Sequence, residues 1–248
     1  MKKILIMGLG QVGTPIKQIE EEAGNEVHVL ELNTEPPVNN YDVMHICIPF
    51  IEKFHEAVSG AILKYMPKLV IINSTVEMGT TNRLESEFFK HGLDIQIVHS
   101  FVRGVHPNLY EGIKTFVKYV GGDEEDCKTA EEHFKSIGLD SRRIGISKES
   151  EIAKILSTTY YGWNILFAKQ VANICKEHDL DFPNVYTEPN LTYNDGYIEL
   201  GKPEVVRPVL YAPTGKCGGH CVSENFELLP KSSLKRFSKF MNENGNDR

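Results

Sequence analysis

The first segment of the 248-residue chain with chemistry in its spacing is Gly8-Leu9-Gly10-Gln11-Val12-Gly13. It directly follows a short apolar run, Lys3 to Met7, and opens a stretch that reads as helical to about Ala23. In the order strand, glycine turn, helix, this spacing builds an anion site. Gly8 permits the tight turn, Gly10 lets the backbone approach a pyrophosphate, and Gly13 lets the helix pack on the strand. Free N–H groups at the helix start, with the helix dipole, then favour phosphate. Gln11 and Val12 complete the turn and belong to the same expected cofactor-binding set. Glu31 ends a second strand, Glu26 to Leu32. A carboxylate there accepts from the adenosine ribose hydroxyls and repels a 2′-phosphate, so NAD is the expected cofactor.

The second segment is Thr214-Gly215-Lys216-Cys217-Gly218-Gly219-His220-Cys221. Cys221 follows two glycines and precedes a helical stretch, Val222 to Leu229. N–H groups at a helix start stabilise a thiolate, and the glycines admit a substrate. That suits a nucleophile; a buried structural thiol after a flexible turn suits the same residues. Cys217, His220 and Cys221 also offer metal-ligand types, but no second cluster supports a closed zinc site, and no metal is expected. The third segment runs from Ser100 to Leu109, after an expected strand Asp94 to His99. Arg103 suits a carboxylate or phosphate, and His106 suits proton transfer near neutral pH. A loop whose Arg and His cap carbonyls is the competing reading.

The elements that must position these residues alternate strand and helix. Strands are expected at Lys3–Met7, Glu26–Leu32, Asp42–Ile48, Leu69–Asn73, Asp94–His99 and Thr115–Val120. Helices are expected around Lys53–Met66, Thr80–Lys90 and Glu124–Ile137. The pattern predicts an α/β fold, a doubly wound parallel Rossmann sheet followed by a smaller, mainly helical domain. Between Glu31 and Asn40 two prolines and low helix propensity predict a loop in place of the usual crossover helix. From Lys148 to about His178 one long helix is expected, with Ser147 as its N-cap and Ile152, Ile155, Leu156, Leu166, Val171 and Ile174 at helical spacing. The expected division is a cofactor domain over 1–146, a helical central or dimerisation domain with the cysteine loop over 147–230, and a tail over 231–248.

Totals narrow the class. A net charge of −7 without a compensating basic run argues against nucleic acid as a partner. Only Lys231 to Lys239 is locally basic, which suits a solvated terminal helix. No apolar stretch approaches the roughly 20 residues of a membrane span. Five scattered cysteines suit a reducing compartment. A cytoplasmic protein with no membrane partner is expected.

Four stretches together resemble the UDP-glucose/GDP-mannose dehydrogenase family: Gly8 to Gly13, Asn73-Ser74-Thr75-Val76-Glu77-Met78-Gly79-Thr80, Glu151 to Cys175, and Gly218-Gly219-His220-Cys221. The resemblance runs from Met1 to about Leu229. It implies an NAD domain and a helical central domain that pairs with its counterpart in a homodimer through the long helix. It also implies oxidation of a sugar alcohol through a thiohemiacetal and a thioester on a cysteine. It places the catalytic cysteine on Cys221, the catalytic lysine on Lys154, a water-holding threonine on Thr75 and a cofactor contact on Ser74. Gly219, Thr158, Asn225 and Arg207 fall on substrate-side positions, with Arg207 reaching across a dimer.

The chain departs from that family at identifiable points. His99-Ser100-Phe101-Val102 stands where the family has Asn-Pro-Glu-Phe. Thr158 replaces an asparagine and Asn225 an aspartate, and the nucleotide-binding third domain is expected to be absent. Lys154 would stabilise a developing oxyanion by charge, while no acid is left for base chemistry. The leading expectation is an NAD-dependent oxidoreductase for a sugar-like or small hydroxylated, anionic substrate. The second is an NAD-binding sensor or subunit that needs a partner chain.

Overall fold

The computed structural model describes residues 1–37, 40–104, 108–212 and 219–245; side chains at 220, 221, 223, 241, 242 and 244 lie outside that description, as does His106. The chain forms two compact units, Met1–Lys154 and Ile155–Arg248.

The first unit holds strands β1 (Lys3–Met7), β2 (Glu26–Leu30), β3 (Val43–Ile46), β4 (Leu69–Ile72), β5 (Gln96–His99), β6 (Lys118–Gly121) and β7 (Ser141–Gly145). Between them lie α1 (Gly13–Glu22), α2 (Phe54–Tyr65), α3 (Thr80–Lys90), α4 (Leu109–Thr115) and α5 (Glu124–Ser136). Among the described residues the strands form one sheet in the order β2-β1-β3-β4-β5-β6-β7. Short runs such as Leu-Val-Ile-Ile in β4 are buried along their whole length, as a parallel strand covered on both faces requires. Alternate side chains feed two cores. Ile4, Ile6, Val43, Leu69, Ile71 and Val98 pack with α1, α4 and α5. Leu5, Met7, Met44, Ile46, Val70, Ile72 and Ile97 pack with α2 and α3.

Three expectations need adjustment. The sheet is parallel except at β5–β6, where His99 faces Gly121 antiparallel. After β5 the chain remains at the carboxyl edge through α4, so β6 starts there and runs back. That start puts Lys118 beside the ends of β4 and β5. The strand expected at Thr115–Val120 is β6, which starts three residues later because Thr115 ends α4, and β7 adds a seventh strand. The connection from β2 to β3 has no helix among its described residues; it is anchored by fully buried Tyr41, whose hydroxyl meets His28 Nδ1 at 3.1 Å.

Helix α6 (Ser147–Glu177) starts in the first unit. Ser147, expected as the N-cap, is the first helical residue and donates to Asn82 Oδ1 at 3.2 Å, while Glu149 reaches back to accept the Ile146 N–H at 2.8 Å. In the second unit follow a wide helical turn at Pro183–Thr187, α7 (Glu188–Glu199), a short turn at Pro203–Val205, α8 (Gly219–Leu228) and α9 (Ser233–Gly245). Of the apolar positions along α6, Ile155 and Leu166 are fully buried, whereas Leu156, Tyr160, Tyr161, Phe167 and Ile174 are exposed. The basic tail is not wholly solvated: Trp163 donates to buried Ser238 at 3.1 Å and meets Phe237 edge-on at 5.1 Å, fixing one face of α9. Among the described residues no helix is long and apolar enough to cross a membrane.

Candidate active site

From β1 the chain passes to β2 on one side and then to β3 on the other, so the strand order reverses between β1 and β3. Ligands of open α/β sheets bind outside the carboxyl ends of strands at such a point, and the glycine turn lies there. Gly8 has φ +95°, and a Cβ on it would lie 2.9 Å from Ile48 Cγ2 and 3.1 Å from the Cys47 carbonyl carbon. A Cβ on Gly13 would fall 1.8 Å from the Gly8 carbonyl oxygen. Gly10 differs: a Cβ there meets nothing within 4 Å. Gly8 and Gly13 are therefore consumed by packing, and Gly10 faces open space, as close approach of a pyrophosphate needs. Val12 packs against the core, and Gln11 is exposed. Glu31 accepts the Leu9 N–H, bringing a carboxylate from the end of β2 onto the turn. These residues fit a dinucleotide.

At the ends of β4 and β5 the side chains are mostly committed to shaping the main chain. Ser74 donates to the Ile48 carbonyl at 2.6 Å, tying the loop after β3 to the loop after β4. Thr75 follows, half-buried. His99 is fully buried; its Nδ1 lies 2.8 Å from Ser150 Oγ and its Nε2 donates to the Ser74 carbonyl at 3.1 Å. Burial pushes its pKa down to about 3, so it is neutral near pH 7 and holds a loop. Arg103 donates to the Val117 carbonyl at 2.6 Å and packs over the Phe116 and Tyr119 rings. Here the carbonyl-capping reading of the loop describes what is seen. Lys154 donates to the Val102 carbonyl at 2.9 Å.

Sequence reasoning missed Lys118. Its ammonium is buried, 2.8 Å from the Ser100 carbonyl, 3.2 Å from that of Phe101 and 3.3 Å from Asn73 Oδ1. Burial is the chief cause lowering its pKa to about 7, with Lys154 and Arg103 adding like charge. A lysine between Val117 and Tyr119 in an expected strand is the available signal.

A second buried group lies between α1, β3 and α5. Glu20, His45 and His133 place one ligand atom each within 4.8 Å of one another. The two imidazole Nε2 atoms contact the same Glu20 oxygen at 3.0 and 2.8 Å. The outer nitrogens decide the chemistry. His133 Nδ1 faces the Lys2 ammonium at 3.3 Å, and His45 Nδ1 faces the Asn73 amide nitrogen at 3.1 Å. Both neighbours donate, so both protons sit on Nε2 and point at Glu20. A metal needs the opposite tautomer, with Nδ1–H donating outward. The trio is a hydrogen-bonded clamp, and its imidazole contacts hold the Glu20 carboxyl well below the usual range, against the opposing effect of burial.

In the second unit, Cys221 lies in the first turn of α8, with its side chain outside the described residues, and Gly219 begins that helix. Asn225, one turn later, donates to the Thr158 hydroxyl at 2.9 Å. Two of the residues at which the chain departs from the family pattern are thus partners. What brings α8 onto α6 is Gly162, also missed from sequence: a Cβ there would sit 2.4 Å from Val222 and 2.9 Å from Phe226. Arg207 is stacked over Tyr193 at 3.5 Å, and its main chain exchanges two 2.9 Å hydrogen bonds with the Asn194 amide.

No family model matches the chain. Curated relatives do. A UDP-N-acetyl-D-mannosamine dehydrogenase of Methanocaldococcus jannaschii is 23% identical over 90% of this chain and 60% of its own length. One from Methanococcus maripaludis is 21% identical over 96% and 63%. The chain thus spans about three fifths of the length of the curated relatives it matches. Among solved structures, a UDP-D-ManNAc dehydrogenase from Pyrococcus horikoshii shares the fold with a TM-score of 0.77, at 19% identity over 98% of this chain and 68% of that one. A 3-hydroxyisobutyrate dehydrogenase from Mycobacterium tuberculosis shares it with a TM-score of 0.72, at 16% identity over 99% and 96%. Over nine tenths of its length the chain is similar in sequence to UDP-N-acetyl-D-mannosamine dehydrogenases, and it shares the fold of a solved one.

Proposed function

We propose that the protein is an NAD-dependent oxidoreductase acting on a CH–OH group of a sugar-like or small anionic substrate. The observation that carries this reading is the contrast within the glycine turn, where Gly10 alone opens onto space while Gly8 and Gly13 are packed shut, with Glu31 beside it. Bound NAD would supply a hydride acceptor. Gly8 to Gly13 would hold the pyrophosphate, Glu31 the adenosine ribose, and Ser74 and Thr75 the edge of the nicotinamide pocket. Lys154 would neutralise charge on the substrate oxygen, and Cys221 would add to a carbonyl product if chemistry proceeds beyond the first oxidation. Arg103, His106, Gly219, Thr158, Arg207 and Asn225 form the proposed substrate side, with Arg207 in a homodimer joined through the exposed Tyr160, Phe167 and Ile174 of α6.

Two features favour a short reaction on a small substrate. Buried Phe101 and Val102 stand where the family pattern has a carboxylate, and Asn225 is an amide. The Mycobacterium 3-hydroxyisobutyrate dehydrogenase matches this chain over nearly its whole length, which supports catalysis by two such units alone. We place the protein in the cytoplasm. The same missing carboxylates favour the second reading, an NAD-binding subunit that depends on a partner chain.

Calorimetric titration with NAD⁺, NADH and NADP⁺ tests the cofactor claim. NAD(H) binding with much weaker NADP⁺ binding is expected; no binding of any of them would end the dehydrogenase reading. NADH formation with hydroxy acids or sugar nucleotides separates the enzyme from the subunit.

A further inference from the structure

A cleft in the first unit shares no residue with the glycine turn or the proposed substrate side. It encloses about 640 Å³ and is lined from α2 by His55, from α3 by Arg83, Glu87 and Lys90, and from the first turn of α6 by Lys148. That volume suits a small-molecule ligand.

The charges that line it are unbalanced. Glu87 is the one carboxylate among the described lining residues, and it is already engaged, by His55 Nε2 at 2.6 Å and by the Ser59 hydroxyl at 3.1 Å. Of the flanking carboxylates, Glu85 accepts from the Asn82 amide at 2.9 Å and burial pushes its pKa up to about 7, while Glu149 accepts the Ile146 N–H at 2.8 Å. Against these stand Arg83, Lys90 and Lys148. Among the described residues the two ammonium groups make no ion pair or hydrogen bond, and the guanidinium makes one, from Nη2 to the Thr80 hydroxyl at 3.0 Å.

Two of the three cations are held in place. The Thr80 hydroxyl that Arg83 reaches itself donates to the Glu77 carbonyl at 2.7 Å. The Lys148 stem crosses the start of α3, where a Cβ on Gly79 would lie 3.7 Å from its Cε. The N–H groups of that helix start are spent, since Glu151 takes those of Gly79 and Thr81. The positive charge of the cleft therefore comes from side chains, on a chain whose net charge is −7. Cations that converge on a concavity without partners concentrate anions there. A guanidinium presents a fork to phosphate and an ammonium a point charge. Arg83 and Lys90 stand two turns apart on α3, roughly 10 Å at the rise of a helix, a span that suits linked phosphates better than a single one.

We propose that this cleft is a second ligand site, which takes a small molecule with linked phosphate groups, of the nucleoside polyphosphate class, on Arg83, Lys90 and Lys148.

Calorimetric titration of the full chain with ATP, alone and with the glycine turn filled by saturating NADH, tests it. ATP should bind one to one in the presence of NADH, and pyrophosphate should displace it. Lys90→Glu and Lys148→Glu should each weaken ATP binding at least tenfold and leave NADH binding unchanged. Lys128→Glu, the same change of charge at an exposed position on α5, should alter it less than twofold. All three side chains are exposed, so unchanged melting curves are expected. No saturable ATP binding, ATP binding that NADH abolishes, or an equal effect of all three variants overturns the proposal. If NADH itself does not bind, the dehydrogenase reading falls, and the same variants titrated with ATP alone decide the cleft.

Discussion

Asn225 Nδ2 donates to the Thr158 hydroxyl at 2.9 Å, and that hydroxyl donates to the Ile155 carbonyl at 2.9 Å. The orientation of the pair is therefore set: the Thr158 oxygen is an acceptor toward Asn225. An aspartate at 225 would turn a carboxylate oxygen toward a lone pair. With Thr158 donating to the Ile155 carbonyl, an aspartate at 225 alone would lose the hydrogen bond between the two helices.

Asn225→Asp alone should destabilise the protein by about 1 kcal/mol, the cost of a lost hydrogen bond with an unpaired acceptor. Adding Thr158→Asn should recover most of that loss, since an amide can donate to the new carboxylate. Urea unfolding midpoints of the two single variants and the double variant measure the coupling; additive losses would refute the pairing. The amide also bears on the product. It cannot accept a proton near pH 7, so a carbonyl product with one NADH per substrate is expected of the wild type, as counted by absorbance against product analysis.

Gly162→Ala tests how α8 reaches α6. Alanine gains about 1 kcal/mol over glycine in helix propensity, yet here its Cβ would overlap Val222 and Phe226. Overpacking of about 1–3 kcal/mol should win. A lower melting temperature by calorimetry is expected; a higher one would mean the helices separate freely.

Gly10→Ala and Gly13→Ala should fail in different ways. Alanine at Gly10 meets nothing in the free protein, so the fold should melt normally while NADH binding weakens at least tenfold. Alanine at Gly13 drives a methyl into the Gly8 carbonyl and should lower stability before any ligand is added. Melting curves with and without NADH separate the two.

Acid should weaken the first unit through His99. Its folded pKa, about 3, lies below its ordinary 6.5. Between those values the unfolded chain binds a proton that the native state does not, so stability falls as pH drops through that window. The slope is at most about 1.4 kcal/mol per pH unit for one group. His45, held low by burial, adds in the same direction. Glu20, whose pKa is depressed, contributes stability above its ordinary value that is lost as pH falls below it. His99→Gln should flatten the slope between pH 6.5 and 5 in urea titrations, and an unchanged slope would place the proton elsewhere.

Local pattern alone determined the strand–turn–helix start, the acidic residue after β2, the missing crossover helix and the long α6, because each depends on residues near one another in sequence. Glycine spacing, proline content and apolar periodicity act within one or two turns of chain, so they can be read there. Tertiary structure decided the rest. His99 ends an expected strand, and only burial with the Ser74 carbonyl makes it a neutral strut; Arg103 suits an anion by type, and only the fold sets its contact with the Val117 carbonyl. Lys118 carried no motif; its importance comes from the carboxyl ends of β4 and β5 meeting the antiparallel β6, which leaves a charge in a place that water does not reach. Gly162 and the Thr158–Asn225 pair likewise depend on the approach of α8, 57 to 67 residues further along the chain. Burial, tautomer and charge pairing are set by what the fold brings close, and no spacing along the chain encodes them.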